Sequence, residues 1–186
     1  MVSTSNQLLQ NLLELTRANI NTIESFKSQP ISSLNWKQNP QSWSVLECIA
    51  HLNRYGDFYI PEITKRIANS KYKNSEVFKS NWLGNYFSKS VAYKENLNKM
   101  KTFKSMNPLN SKLTAETLEI FISQQHQIID LLSKAKHVNL DKTKTAISIS
   151  KFIKLRLGDT FRVIIYHNER HIKQAEKTFY LATQAV

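Results

Sequence analysis

Two histidines near the C-terminus, His167 and His171, have the spacing of a metal-binding pair. They stand four residues apart in the stretch His167-Asn168-Glu169-Arg170-His171. In a helix, residues four apart leave the same face about one turn apart. Two imidazole nitrogens held in this way can bind one transition metal, and a third ligand from elsewhere would complete a site with an open position. Because such pairs also arise by chance, the interpretation depends on a third histidine.

His51 is the best candidate for the third ligand. It lies at the edge of the apolar face of another predicted helix, on the same side as Cys48 and Tyr55. On a helical wheel, His167 and His171 lie at the edge of the apolar stripe of their own helix. Histidines at the margins of two apolar faces can meet in a cleft between packed helices, as in metal sites of helical bundles. For each histidine taken alone, a purely structural role is the alternative.

Three other residues could contact the ligating histidines and orient them. Gln174 lies on the same helix face as the histidine pair, and Glu47 and Cys48 precede His51 by about one turn. On the wheel Glu47 points away from the cleft, and buried packing is the expected role of Cys48.

The remaining histidines, His126 and His137, have no partner at helical spacing. We expect both to be structural or exposed. No catalytic residue is identified by its pattern.

The elements that carry these residues are predicted to be four long helices in a single domain, residues 1–186. Apolar residues recur at helical spacing, and the low counts of glycine (3) and proline (4) favour long helices with few turns. The fold class is therefore all-α, a four-helix bundle with long connections after helices two and three. The predicted helices span residues 5–27, 45–67, 114–135 and 160–182.

Three positions set the expected helix boundaries. Ser44 with Glu47 three residues later forms a capping box that starts helix two. Pro61 predicts a kink or break near residues 57–60 in the same helix. Asp159 is the expected N-cap of helix four.

The two long connections carry their own signals. Residues 68–110 are rich in lysine, asparagine and aromatics, and they predict short helical pieces whose aromatic rings cover one end of the core. In residues 136–158, the alternation from Ala146 to Ile149 predicts a short extended piece.

Composition narrows the partners and the compartment. The net charge of +12 suggests an anionic partner, but the lysines are dispersed and no nucleic-acid motif occurs, so solvated lysines are the favoured explanation. The single cysteine excludes an internal disulfide framework. The N-terminus reads as an amphipathic helix and no apolar run is long enough to span a membrane, so we expect a cytoplasmic protein without a membrane partner.

Two segments resemble a known family. Residues 43–52, WSVLECIAHL, resemble the W-S-x-x-x-x-x-x-H-L segment of DinB-like proteins, and residues 167–175, HNERHIKQA, resemble their H-x-x-R-H-x-x-Q-A segment. The order of the segments, their helices and the chain length agree with that family.

The resemblance implies an up-up-down-down bundle, often a homodimer, and a divalent metal bound by three histidines. These carry over as His51, His167 and His171, and zinc or nickel is the implied metal. Characterised relatives include thiol-dependent transferases and a mycothiol-dependent isomerase, and many others are described only as metal-dependent hydrolases.

Three functions therefore stand beside one another. The first is a metal-dependent hydrolase or thiol-dependent S-transferase that acts on a small molecule, with a low-molecular-weight thiol as a candidate cosubstrate. The second is a basic stress-response or nucleic-acid-binding module, which rests on the charge alone. The third is a dimeric protein that keeps the metal for stability.

Overall fold

The computed structural model describes residues 1–95 and 102–185, and it is mostly helical with two small sheets. Over this part of the chain, the α-helices are α1 (Ser5–Phe26), α2 (Ile31–Asn35), α3 (Val45–Ala68), α4 (Trp82–Val91), α5 (Glu116–Ala135) and α6 (Leu157–Gln184). The strands are β1 (Val2–Thr4), β2 (Val77–Lys79), β3 (Lys144–Ile147) and β4 (Ser150–Arg156), and a short 3₁₀ helix covers Lys104–Met106. Among the described residues, no helix is long and apolar enough to cross a membrane.

The four long helices build the core. Helix α3 packs against α5 and α6, and α1 packs against the same two helices. Their buried apolar side chains form two clusters: one includes Leu8, Tyr59 and Phe161, and the other includes Leu46 and Ile172. The all-α expectation is thus broadly confirmed, with two small sheets added.

The predicted starts and ends of three long helices agree with the structure to within two residues. Helix α3 begins at the expected capping box: Ser44 Oγ accepts from the Glu47 amide, and the Glu47 carboxylate accepts from the Ser44 amide. Of the kink or break expected near Pro61, the break is wrong, because α3 continues as a helix through this position. Pro61 and Asp57, whose carbonyl the proline cannot bond, are both exposed, so water can solvate that carbonyl.

Asp159 is not the N-cap of the last helix. Helix α6 begins three residues before the predicted start, at Leu157, and Arg156 takes the cap position without a side-chain hydrogen bond. The Asp159 carboxylate is fully buried and bonds to Ser80 and Arg162 instead. The carboxylate that the sequence pattern predicted to cap the helix therefore forms a buried ion pair with Arg162 instead.

The extended piece predicted around Ala146 is present and belongs to a hairpin. Strands β3 and β4 pair antiparallel, with an irregularity between Ala146 and Ile147. The hairpin lies against α3, where Glu62 accepts from the Ala146 amide and the Tyr59 hydroxyl accepts from the Ser148 amide. It therefore reaches α3 about two turns from His51.

The connection after α3 contains the expected short helical pieces, but most of its aromatic rings do not cover the core. It holds β2, which pairs with β1, the ten-residue helix α4, which packs against α6, and the short 3₁₀ helix. Of its aromatics only Phe78 is fully buried; the more exposed ones are Tyr72, Trp82, Tyr86, Tyr93 and Phe103. The prediction that these rings cover the core is therefore wrong for most of them. Residues 96–101 of this segment lie outside the described residues.

Candidate metal centre

Three histidines from two helices meet in the interior. His51 comes from α3, and His167 and His171 come from α6. One ring nitrogen from each lies within 4.8 Å of the others, and His51 Nε2 is 3.3 Å from His167 Nε2. His51 and His167 are buried (2% and 9% exposed), and His171 is partly exposed. The structure thus brings together all three histidines that the sequence singled out.

Hydrogen bonds fix which nitrogen two of these rings present to the cluster. His51 Nδ1 lies 2.7 Å from the Met106 carbonyl oxygen, and His171 Nδ1 lies 3.0 Å from Gln174 Oε1. Because both oxygens can only accept, both Nδ1 atoms carry the proton and donate it. The Nε2 atoms of His51 and His171 therefore carry lone pairs, as metal ligation requires.

All three rings are held neutral. Burial lowers the pKa of His51 to about 4 and that of His171 to about 3, and it lowers the pKa of His167 well below its ordinary value. Repulsion from neighbouring rings acts in the same direction: His51 and His171 on His167, and His51 on His171. Neutral imidazoles with converging lone pairs are the form that binds metal cations.

The geometry fits a transition metal. Two imidazole nitrogens at about 2.1 Å from one tetrahedral ion are about 3.4 Å apart, which agrees with the 3.3 Å between the His51 and His167 nitrogens. Within the described part of the chain, these three histidines are the one group of histidine, cysteine and acidic side chains close enough to share an ion. Three neutral ligands would leave a position for water or substrate.

Two aromatic side chains flank the histidines. The Trp43 ring lies 4.8 Å from the His51 ring and 5.6 Å from the His171 ring. The Tyr55 ring lies 5.0 Å from His51 and 4.6 Å from His167. Burial raises the pKa of Tyr55 to about 12, so its hydroxyl stays protonated and can donate a hydrogen bond.

The three residues expected to support the ligands occupy different positions. Gln174 contacts His171 directly, as described above. The Glu47 carboxylate contacts no histidine in the described hydrogen bonds; it caps α3 and accepts from the Asn110 amide and from Lys37. Cys48 is fully buried in an apolar core cluster, and burial raises the pKa of its thiol.

The other two histidines lie elsewhere. His126 and His137 were expected to be structural or exposed, and both are exposed.

The Met106 carbonyl and Arg54 were missed by sequence reasoning. The carbonyl oxygen of Met106 accepts from His51, and Arg54 donates to the carbonyls on both sides of it. A backbone carbonyl leaves no trace in residue type. Arg54 could have been found, because it follows His51 by three residues and so shares its helix face.

Of the three comparisons with known proteins, one found a match. The family model described as DinB superfamily matches residues 12–175, a range that includes all three histidines. The searches of curated proteins and of solved structures returned no match. Because the family match covers most of the chain, this protein belongs to the DinB superfamily.

Proposed function

We propose that this protein is a metal-dependent enzyme that binds a divalent transition metal, zinc or nickel, through His51, His167 and His171. One observation carries the proposal: three neutral histidines converge, two of them buried and His171 partly so, and the hydrogen bonds that Nδ1 donates leave the Nε2 atoms of His51 and His171 free to ligate. When bound, the ion supplies Lewis acidity, which activates either water or a thiol as the nucleophile. The two choices correspond to a hydrolase and to a thiol-dependent S-transferase.

The side chains around the histidines have defined tasks in this proposal. Gln174 and the Met106 carbonyl hold the Nδ1 protons of His171 and His51 and so orient the rings. Trp43 and Tyr55 exclude water from two sides and provide apolar surface for a small substrate. The protonated Tyr55 hydroxyl is available to donate to a substrate oxygen.

The arrangement of the helices and the assembly are part of the proposal. We infer a single domain with the up-up-down-down order of a four-helix bundle; the packing of α1 and α3 against both α5 and α6 supports it. We also propose a cytoplasmic homodimer. Light scattering coupled to gel filtration tests the dimer, and a monomer at micromolar concentration contradicts it.

Metal content tests the site. The purified protein is loaded with Zn²⁺, Ni²⁺ or Co²⁺, dialysed and analysed by elemental mass spectrometry. We expect about one ion per chain in the wild type and a loss of more than tenfold in His167→Ala, because two histidines cannot hold the ion alone.

His126→Ala is the matched control, because it removes an exposed histidine from α5. It should retain wild-type metal content. Equally low metal in the wild type and in His167→Ala, after loading, would refute the proposal.

A further inference from the structure

One face of α3 holds residues 105–110 against the histidine cluster. Glu47, His51 and Arg54 stand at positions i, i+4 and i+7 of this helix, so their side chains leave it on the same side. The expectation that Glu47 points away from the side of His51 is therefore wrong. Each of the three contacts the backbone of residues 105–110. We call residues 105–110 the strap.

Arg54 and His51 bind three consecutive carbonyls of the strap. Arg54 Nη1 donates to the carbonyl of Ser105 at 3.2 Å and to that of Asn107 at 2.8 Å. The carbonyl between them, from Met106, accepts from His51 Nδ1 at 2.7 Å. Arg54 thus fixes the peptide units on both sides of the one that His51 uses.

The far end of the strap is anchored separately. Glu47 Oε1 accepts from the Asn110 amide at 2.6 Å, and Lys37 Nζ lies 2.7 Å from the same carboxylate oxygen and 3.1 Å from Asn110 Oδ1. Asn110 has a φ of 63°, a left-handed conformation that asparagine tolerates better than most residues. None of these contacts involves Arg54, so Arg54 can be substituted while the far end of the strap retains its own anchor.

The consequence for His51 is a choice of tautomer. A free neutral imidazole carries its proton on either nitrogen, and the Nδ1 form is imposed here by an acceptor at a fixed place. If the Met106 carbonyl moves away, the proton can occupy Nε2, the nitrogen that faces His167. A proton there removes the lone pair that the cluster needs.

We propose that Arg54 is a positioning residue: by holding the carbonyls of Ser105 and Asn107, it places the Met106 carbonyl so that His51 keeps its proton on Nδ1 and directs the Nε2 lone pair at His167 and His171. This inference rests on the proposed function only where metal binding is concerned. The tautomer of His51 is a property of the metal-free protein and can be measured independently.

The test compares Arg54→Gln, Arg54→Lys and Arg66→Gln with the wild type. In metal-free protein labelled with ¹⁵N-histidine, ring nitrogen shifts report the tautomer of His51. We expect the Nδ1-protonated form in the wild type and a mixture with the Nε2 form in Arg54→Gln. Co²⁺ affinity, followed by its visible absorption, should fall about tenfold in Arg54→Gln. Arg54→Lys keeps a donor for the two carbonyls, so its tautomer ratio and its Co²⁺ affinity should lie between those of the wild type and of Arg54→Gln.

Arg66→Gln is the matched control, because Arg66 is on the same helix and pairs with Glu62 away from the strap. It should behave as the wild type in both measurements. An unchanged His51 tautomer in Arg54→Gln, or equal effects of Arg54→Gln and Arg66→Gln, overturns the inference. If the wild type binds no Co²⁺, the proposed function fails, whereas the tautomer measurement still decides the role of Arg54.

Discussion

Helix α6 carries two buried polar clusters of opposite character. Near its start, Asp159 and Arg162 form an ion pair at 2.9 Å, joined by Ser80, which follows β2, and by Asn85 of α4. The second cluster contains three neutral histidines: His167 and His171, which lie further along the same helix, and His51 from α3. Both are largely buried, but only the first contains its own counter-charge.

The contrast separates a structural cluster from a binding site. Asp159 Oδ2 and Arg162 Nε have no hydrogen-bond partner among the described residues, yet the opposite charges still balance. In the histidine cluster, ring nitrogens of three like groups converge, with His51 Nε2 3.3 Å from His167 Nε2, an arrangement that a cation would stabilise. A buried cluster that contains both charges holds helices together, whereas neutral ligand atoms that converge without a counter-charge indicate a binding site for a cation.

The largest effect should come from breaking the ion pair. Arg162→Ala leaves the Asp159 carboxylate buried without its counter-charge, which costs about 3–5 kcal/mol. The free energy of unfolding, measured by urea denaturation, should fall by this amount. Lys177→Ala, an exposed position on the same helix, is the control and should change little. A loss below about 1 kcal/mol would mean that this cluster is not the structural one.

The metal-free protein should lose stability as the pH falls from 7 to 5. The folded-state pKa values of His51 and His171, about 4 and 3, lie below the ordinary value near 6.5 that they regain on unfolding. In this window only the unfolded chain takes up the protons, so stability is full above pH 7 and falls by about 2 kcal/mol for each histidine by pH 5.

Comparing the pH dependence of the free energy of unfolding between wild type and His51→Asn separates the contribution of His51 from that of the carboxylates. Urea unfolding at pH 7 and at pH 5 gives the pH dependence of each protein. We expect the wild type to depend more steeply on pH. Parallel behaviour of the two proteins would show that His51 titrates normally in the folded state.

A smaller effect is expected at Gln174. Gln174→Leu removes the acceptor of the His171 Nδ1 proton while keeping a side chain of similar size, so metal affinity should fall about tenfold. Competition with a metal-binding dye measures the affinity. Gln127→Leu, at an exposed glutamine of α5, should leave it unchanged. Equal affinities in both variants would remove Gln174 from the site.

The parts that sequence predicted are those determined within one helix. The start of α3 follows from the reciprocal contacts of Ser44 and Glu47, which need no tertiary partner. The pairing of His167 with His171 depends only on helical spacing, and the placement of His51 on the edge of an apolar face was sufficient to bring it to the same cleft.

The parts that sequence missed depend on distant partners. Asp159 has the type and position of an N-cap, but Arg162 and Ser80 bind it in the interior. The exposure of Trp82 and Tyr86 depends on which face α4 turns towards α6. Likewise, nothing in the identity of Met106 indicates that its backbone oxygen meets a histidine 55 positions earlier.

The burial of Cys48 has a practical meaning for the study of this protein. Its thiol is the only one in the chain, is fully covered by apolar neighbours and ionises less readily than a free cysteine. The folded protein should therefore need no reducing agent during purification, which matters because such agents strip or bind transition metals. In a test of the proposed thiol-dependent transfer, an assay with isotopically labelled thiol can therefore be interpreted without a background from this buried thiol.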